Sequence, residues 1–198
     1  MSRNPRFFKQ RSHQHTDLNL PAIRLGEEEL YQKVSDAGKD AFVLILDGVQ
    51  DPHNLGACLR SADAAGVQAL VIPKNKAVGL TETARKVACG GAENTPVVQV
   101  TNLARCLDQL KKAGLWLVGT DDQGEKDLHD VDLTGPIGLV MGSEGKGLRR
   151  LTREHCDFLT RIPMAEGCRV DCLNVSVATG VTLFETLRQR RAGAGKKG

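Results

Sequence analysis

"FVLIL" (residues 42–46), "DPHNLGACLRSADAAG" (51–66) and "ALVIP" (69–73) follow one another as an apolar run, a helical pattern and a second apolar run. The two apolar runs predict buried strands, and the proline ends the second one. The segment between them predicts a helix that continues through Ala65. Apolar strands joined by a helix are typical of a parallel sheet that is covered on both faces.

The same alternation continues along the chain and predicts an α/β fold with a mainly parallel sheet between two layers of helices. The remaining predicted elements are helices at 26–38 and 81–88, strand 97–100, a helix from its Thr101 cap to about Lys112, strand 115–120, an acidic loop 121–135, strand 137–142, a short helix at 148–155, strand 158–163, and a last helix from about Asn174 to Arg190. Ligands of such sheets bind beyond the carboxyl ends of the strands. The loops after Leu46, Gly119, Gly142 and Ile162 are therefore the candidates.

The chain has 198 residues, 40% of them apolar and 26% charged, as expected for one globular domain. No apolar run approaches the ~20 residues of a membrane helix, and the start "MSRNPRFFKQ" lacks the apolar centre of a secretory signal. We therefore expect a cytoplasmic protein with no membrane contact. The six cysteines form no CxxC pair and no zinc-site spacing, which predicts free, mostly buried thiols and no metal.

The net charge of +3 is small, but basic residues concentrate at both ends of the chain. Solvated tails and contacts with a polyanion both fit such ends. These residues are Arg3, Arg6, Lys9 and Arg11 at the start and Arg188, Arg190, Arg191, Lys196 and Lys197 at the end.

The first candidate motif is "DGVQDPHNLGACLRSADAAG" (47–66). Asn54 is a natural N-cap, Gly56 allows close approach, and the free N–H groups of a helix start attract a phosphate. Arg60, about one turn further in, could reach the same anion with its planar guanidinium. The plain alternative is a capped helix with a surface arginine. His53 is expected to be structural or solvent-facing.

The second candidate motif is "LVMGSEGKGL" (139–148), a glycine-rich loop after an apolar strand. It matches neither the P-loop pattern, because Leu148 follows Gly147, nor the GxGxxG order, so an ATP or NAD site is weakly supported. Glu144 is either a binding carboxylate or a solvated loop tip.

The third candidate motif is "IPMAEGCRVDCLNVSVATG" (162–180). Asn174, Ser176 and Thr179 either cap the last helix or face a ligand. The small residues allow another backbone to pass close by, which suits a threaded chain or a helix-packed dimer.

Taken in order, the three motifs resemble those of the SpoU (TrmH) branch of the SPOUT RNA methyltransferases, over about residues 42–190. Within that branch, "RRLTREHCD" and "VTNLAR" are most similar to the RlmB type, which methylates a guanosine ribose in 23S rRNA. The resemblance implies a SPOUT α/β-knot fold with a deep C-terminal trefoil knot, although knots are otherwise very rare. It also implies bent S-adenosylmethionine bound in the knot and a homodimer whose active site is completed across the interface.

The resemblance also implies a role for individual residues. Gly142, Ile162 and Leu173 would hold the cofactor, with Thr120 nearby, and the catalytic residues would be Asn54, Arg60, Glu144 and Asn174. Because a guanidinium is a poor base, we expect Arg60 to clamp the phosphate of the target RNA and to stabilise the developing alkoxide.

The chain departs from the family pattern at two places. Cys172 stands where motif three usually has serine, and a thiol is the weaker hydrogen-bond donor. Only about 40 residues precede the first strand, whereas enzymes acting on ribosomal RNA usually carry an RNA-binding domain there. We expect a basic arm and short helix (1–40), a catalytic domain (41–191) and a disordered basic tail (192–198). A tRNA guanosine methyltransferase and a non-catalytic RNA-binding protein remain the alternatives.

Overall fold

The protein was analysed as a computed structural model that describes residues 21–194. The basic arm with Arg3, Arg6, Lys9 and Arg11, and the lysines 196 and 197, lie outside the described residues. Between residues 21 and 194, no helix combines the length and the apolar character that crossing a membrane requires.

Seven strands and six α-helices alternate within the described residues. The strands are β1 (Phe42–Asp47), β2 (Ala69–Pro73), β3 (Val97–Val100), β4 (Trp116–Thr120), β5 (Lys126–Asp127), β6 (Ile137–Gly142) and β7 (Phe158–Arg161). The helices are α1 (Glu27–Ala37), α2 (Pro52–Ala65), α3 (Glu82–Ala88), α4 (Leu103–Lys112), α5 (Arg150–His155) and α6 (Val175–Ala194). The strand positions predicted from the apolar runs are confirmed.

The seven strands form one sheet in the order β3-β2-β1-β6-β4-β7-β5, and every pairing in it is parallel. Strand β6 lies between β1 and β4, so a late segment of the chain fills the centre of the sheet. The register pairs Asp47 with Gly142 and Thr120 with Met141, which aligns the carboxyl ends of β1, β6 and β4. The loops that follow these strands therefore meet at one edge.

Apolar side chains of alternate strand residues pack into two cores, one on each face of the sheet. In β1, Leu44 points into the core with α2, α3 and α6, whereas Ile45 points into the core with α1 and α4. Both side chains are fully buried, and burying a side chain of this size stabilises the fold by about 1.5–3 kcal/mol. Because both faces of β1 are buried in these cores, its residues 42–46 are all apolar.

Two predicted helix caps are wrong. The cap of α2 is Asp51, whose carboxylate accepts a hydrogen bond from the His53 N–H at 2.9 Å, and Asn54 lies inside the first turn. Pro52 favours this earlier start because its fixed φ suits the first helical position. The cap of α4 is Asn102 rather than Thr101, and its side chain accepts from the Arg105 N–H at 3.1 Å.

The predicted boundaries also differ at two other segments. The stretch 121–135, expected to be a plain loop, contains β5 and a short 3-10 turn at Leu128–Asp130. Helix α6 continues through Ala194, four residues beyond its predicted end and into the expected tail. Arg190 is not a polyanion-binding tail residue: it donates hydrogen bonds to the carbonyl groups of Ala41 (2.9 Å) and Gly135 (2.7 Å), and its guanidinium lies 4.6 Å from the centre of the Phe42 ring.

Candidate active site

A cavity of about 510 Å³ opens at the carboxyl edge of the sheet, where the loops after β4, β6 and β7 meet. The four residues predicted to hold a cofactor, Thr120, Gly142, Ile162 and Leu173, all line it. Its volume falls in the usual range for small-molecule and cofactor sites. The topology of the sheet thus brings together residues that are up to 53 positions apart in sequence.

The glycine-rich loop after β6 folds back tightly on itself at the wall of this cavity. Ser143 and Gly147 exchange two backbone hydrogen bonds, of 3.1 and 2.9 Å, and Gly147 adopts a left-handed conformation with φ of 61°. A Cβ atom on Gly142 would lie 2.5 Å from the Leu148 nitrogen. Only a glycine at position 142 therefore allows the loop to close, and the closed loop holds Glu144 near its tip.

Three polar residues, one from each sequence motif, meet beside this loop. The Asn54 side chain donates a hydrogen bond to Glu144 Oε1 at 3.0 Å. The Asn174 side chain donates to Asn54 Oδ1 at 3.2 Å and also to Glu144 Oε1. Asn174 caps α6 as well, because its Oδ1 accepts hydrogen bonds from the N–H (2.9 Å) and the hydroxyl (2.6 Å) of Ser176. The capping role of Asn174 is therefore confirmed, and its role toward a ligand stays a prediction.

A second cavity, of about 260 Å³, adjoins the first. The loop after β1 (Gly48–Asp51) and Asn54 line it, and it shares Ser143, Glu144, Lys146 and Val175 with the larger cavity. Within the cluster, Glu144 lines both cavities and Asn54 lines the smaller one, while Asn174 reaches them through its hydrogen bonds to these two residues.

Arg60 does not join this cluster within one chain. It lies six residues beyond Asn54, which places it roughly 9 Å along α2 and about 240° around the helix axis. Its side chain is exposed, lines neither cavity, and donates to the Cys89 sulfur at 3.5 Å. Within one chain Arg60 therefore lies apart from the cluster, and an anion site shared by Arg60 and the helix start stays a prediction.

Gly56 has a different role from the predicted one. It is buried against α3, and a Cβ atom there would lie 2.5 Å from the Ala84 carbonyl oxygen. The missing side chain thus lets α3 pack closely on α2. His53 is exposed, as expected.

Two ion pairs beside the site were not anticipated. The buried Asp47 carboxylate, at the end of β1, accepts hydrogen bonds from the Arg149 N–H at 3.0 Å and from its Nε at 2.5 Å. Asp121, after β4, lies 2.6 Å from Arg153 Nη2, and both residues line the larger cavity. In the sequence, the only sign of these ion pairs is an acidic residue at the end of an apolar strand or directly after it. This sign does not indicate which arginine is the partner.

All six cysteines are free, but only two of them are buried, so the expectation that most are buried is wrong. Cys58 and Cys106 are buried, and burial raises the pKa of each thiol to about 11. Cys89, Cys168 and Cys172 are exposed, and Cys172 lines the larger cavity. Among residues 21–194, no three His, Cys, Asp or Glu side chains gather in a way that could hold a metal ion.

The model of the SpoU rRNA Methylase family matches residues 41–184, most of the chain. The chain belongs to the SpoU family. The resemblance predicted from the three motifs is thereby confirmed. Its RlmB-type assignment is confirmed by similar proteins that carry this name.

Two of these SpoU relatives are named 23S rRNA (guanosine-2'-O-)-methyltransferase RlmB. The protein of Pseudomonas aeruginosa is 61% identical over 170 residues, which are 86% of this chain and 68% of the relative. That of Xanthomonas campestris is 59% identical over 179 residues, which are 90% of this chain and 71% of the relative.

The fold also matches solved SpoU structures. The crystal structure of AviRb from Streptomyces viridochromogenes in complex with AdoMet has a TM-score of 0.71 and 31% sequence identity. The match covers 78% of this chain and 59% of AviRb. This SpoU chain thus spans about two thirds of the two RlmB relatives and less than two thirds of AviRb.

Proposed function

We propose that this chain is a methyltransferase that uses S-adenosylmethionine (AdoMet) to methylate the ribose 2'-hydroxyl of a guanosine in 23S rRNA. The observation that carries the proposal is the polar cluster of Asn54, Glu144 and Asn174 beside two adjoining cavities, both of which Glu144 lines. Methyl transfer needs a donor and an acceptor held in line, and neighbouring sites provide that alignment. The names of the RlmB relatives support the choice of RNA and nucleotide. A cytoplasmic location follows from the proposed substrate.

The larger cavity has the character expected of an AdoMet site. Apolar side chains of Met141, Ile162 and Leu173 line part of its wall and offer contact surface for an adenine ring. The carboxylates of Asp122 and Asp171 also line it and suit a positively charged sulfonium. When bound, AdoMet supplies an electrophilic methyl group, and AviRb was solved with this cofactor. We assign Gly142, Ile162, Leu173 and Thr120 to holding it.

The proposal includes the trefoil knot of this fold family. Contacts between α6 and the connection from β4 to β6 support it. Gln189 accepts a hydrogen bond from the Leu133 N–H at 2.9 Å and donates one to the Val131 carbonyl at 3.1 Å. Arg190 donates to Gly135 on the same connection. Helix α6 thus packs against the connection between β4 and β6, as a chain threaded close to this connection would.

The smaller cavity is assigned to the target ribose. Glu144 accepts hydrogen bonds from the side-chain amides of Asn54 and Asn174, which fixes both side chains beside the two cavities. AdoMet in the larger cavity would supply the methyl group, whose bond to sulfur breaks as the bond to the ribose oxygen forms, and the hydroxyl proton would pass to solvent water. Negative charge therefore develops on the ribose oxygen as this proton leaves. We assign Arg60 to clamping the phosphate of the target and stabilising this charge, because a guanidinium stays protonated.

A homodimer reconciles this role with the position of Arg60. Arg60 lines neither cavity of its own chain, so the proposal brings in Arg60 of the partner subunit. Helix α6 offers a surface for the second copy: Val177, Val181 and Phe184 form a stripe that is 51%, 36% and 49% exposed. Apolar residues at this spacing lie on one side of a helix.

The test of the function is methylation of RNA in vitro. Purified protein is incubated with labelled AdoMet and unmodified ribosomal RNA or tRNA, and 2'-O-methyl sites are mapped by nuclease digestion. We expect one guanosine in 23S rRNA to be labelled. Labelling of tRNA alone would contradict the proposal and show that the protein methylates tRNA. RNA binding without any labelling would show that it is a non-catalytic RNA-binding protein.

The test of the assigned role is Arg60→Ala. We expect methyl transfer to fall by at least about 100-fold, while AdoMet affinity measured by calorimetry stays within about twofold. Arg150→Ala is the control, because Arg150 is exposed and pairs only with Glu154 one turn away. Equal loss of AdoMet binding in Arg60→Ala would contradict the role.

Mixing two inactive variants tests whether the site is shared. In mixed dimers of Arg60→Ala and Asn174→Ala, a shared arrangement leaves one of the two sites without either substitution. Random pairing then restores about a quarter of the wild-type rate. A site formed within one chain would recover no activity on mixing.

A further inference from the structure

The segment Cys89–Asn94 packs against the part of α2 that carries Arg60. A Cβ atom on Gly91 would lie 3.0 Å from the Leu59 carbonyl oxygen and 3.3 Å from the Arg60 Cα, so the two backbones nearly touch. One turn further along α2, Asp63 accepts a hydrogen bond from the Asn94 side chain. Contacts at Leu59, Arg60 and Asp63 therefore hold the segment against α2.

The same segment is also anchored to α3. Glu93, whose side chain is largely buried, accepts hydrogen bonds from Arg85 Nε at 3.2 Å and from Arg85 Nη2 at 2.6 Å. Cys89 itself ends α3. Contacts with two helices thus determine where the Cys89 side chain can be.

Cys89 occupies a position that ordinarily favours glycine. Its φ of 49° and ψ of 46° are left-handed, and a residue with a Cβ atom is disfavoured there. Its sulfur lies 3.5 Å from the Lys86 carbonyl oxygen and 3.5 Å from Arg60 Nη1. A thiol has one proton to donate, so donation to Lys86 leaves the sulfur lone pairs to accept from Arg60. Both contacts are satisfied together.

We propose that Cys89 is a positioning residue for Arg60, holding the guanidinium in one orientation on the surface of α2. The inference rests on the proposed function, in which Arg60 must meet a phosphate and a developing charge. A long exposed side chain otherwise samples many rotamers, and ordering it only when substrate arrives slows the reaction. The sulfur does not touch substrate or cofactor; it acts through Arg60.

The kinetic test is Cys89→Gly. Glycine accepts the left-handed backbone without strain, so we expect the variant to fold with unchanged or higher thermal stability. We expect kcat to fall about fivefold, with AdoMet affinity unchanged. Cys89→Ser should restore kcat, because a hydroxyl also donates once and accepts. In an Arg60→Lys background, Cys89→Gly should have no further effect.

A second readout does not depend on activity. Relaxation of the Arg60 Nε signal by NMR should report greater motion in Cys89→Gly but not in Cys89→Ser. Lys76→Gly is the matched control: Lys76 also has a left-handed φ, of 59°, and it makes no contact with Arg60 among the described hydrogen bonds. The Arg60 signal of the Lys76→Gly variant should match that of the wild-type protein.

The outcomes separate the two proposals. An unchanged kcat and an unchanged Arg60 signal in Cys89→Gly would overturn the positioning role, as would an equal loss of kcat in the Arg60→Lys background. If the wild-type protein methylates no RNA, the proposed function fails, while the NMR comparison still decides whether Cys89 restrains Arg60.

Discussion

Gly142 is the residue whose missing side chain matters most to the candidate site. It ends β6 and lines the larger cavity, and the backbone of Gly147 and Leu148 occupies the space where its Cβ atom would be. Its requirement for glycine therefore comes from the close approach of another backbone. The sequence motif indicated a ligand-binding loop. The overlap between a Cβ atom at position 142 and the backbone of Gly147 and Leu148 explains why glycine is required there.

Gly142→Ala should open the loop that carries Glu144. A Cβ atom 2.5 Å from the Gly147 oxygen and the Leu148 nitrogen cannot be accommodated without moving the backbone. We expect AdoMet affinity to fall at least about tenfold by calorimetry, with about 1–3 kcal/mol lost from the free energy of unfolding.

Gly135→Ala provides the control for this substitution. Nothing lies within 4 Å of a Cβ atom at position 135, and its backbone is not left-handed. Its stability and AdoMet affinity should match the wild type. Tight AdoMet binding by Gly142→Ala would remove the loop from the proposed cofactor site.

At the scale of elements, α5 is the helix whose placement depends most on charge. It has only six residues, too few to be stable alone. Arg149 at its start pairs with Asp47 at the end of β1, and Arg153 within it pairs with Asp121 after β4. Two ion pairs therefore connect α5 to the strand ends that border the cavity.

Arg149→Met should destabilise the protein. The substitution leaves the Asp47 carboxylate buried without its partner, which costs about 3 kcal/mol, whereas the methionine retains much of the apolar contact. Urea unfolding at neutral pH measures the loss. Arg150→Met, which breaks only an exposed pair with Glu154, should change the free energy of unfolding by less than about 0.5 kcal/mol. Equal effects of the two substitutions would contradict this account.

At the scale of the whole molecule, α6 runs from one edge of the sheet to the other. Glu185 within this helix contributes to the stability of the fold. Arg188 donates two hydrogen bonds of 2.8 Å to this carboxylate and, with Gln189, lowers its pKa from 4.5 to about 2, against the opposing effect of burial. Since the folded pKa is below the unfolded one, the stabilisation is fully present above about pH 4.5 and is lost as the pH falls toward 2.

Glu185→Gln should therefore reduce stability in a pH-dependent way. We expect the variant to unfold at lower urea concentration than the wild type at pH 7, and the difference to shrink progressively between about pH 4.5 and pH 2. Glu154→Gln is the control, because this exposed carboxylate pairs only on the surface. A difference that persists undiminished at about pH 2 would show that the charge of Glu185 is not its cause.

The exposed stripe of α6 belongs to the same scale, because it governs assembly. Phe184→Asp places a charge in the proposed dimer interface, where it would be desolvated. We expect a monomer with native secondary structure by light scattering and circular dichroism, and loss of methyl transfer. Val170→Asp is the control, since Val170 is even more exposed than Phe184 (59% against 49%) but lies outside α6. A dimer that persists in Phe184→Asp would place the interface elsewhere.

Six of the seven strands, the helices and the three motifs that carry the chemistry could be predicted from the sequence, whereas β5 was missed. Apolar runs and helical periodicity belong to contiguous residues, so β2 and β3 could be predicted to the residue. The tertiary structure alone decided that β6 enters between β1 and β4, which brings Asn54, Glu144 and Asn174 into contact. It also decided that Gly56 serves helix packing and that Arg60 faces away from its own cavity. Such contacts join residues distant in sequence, and no local pattern records which side of a helix meets which neighbour.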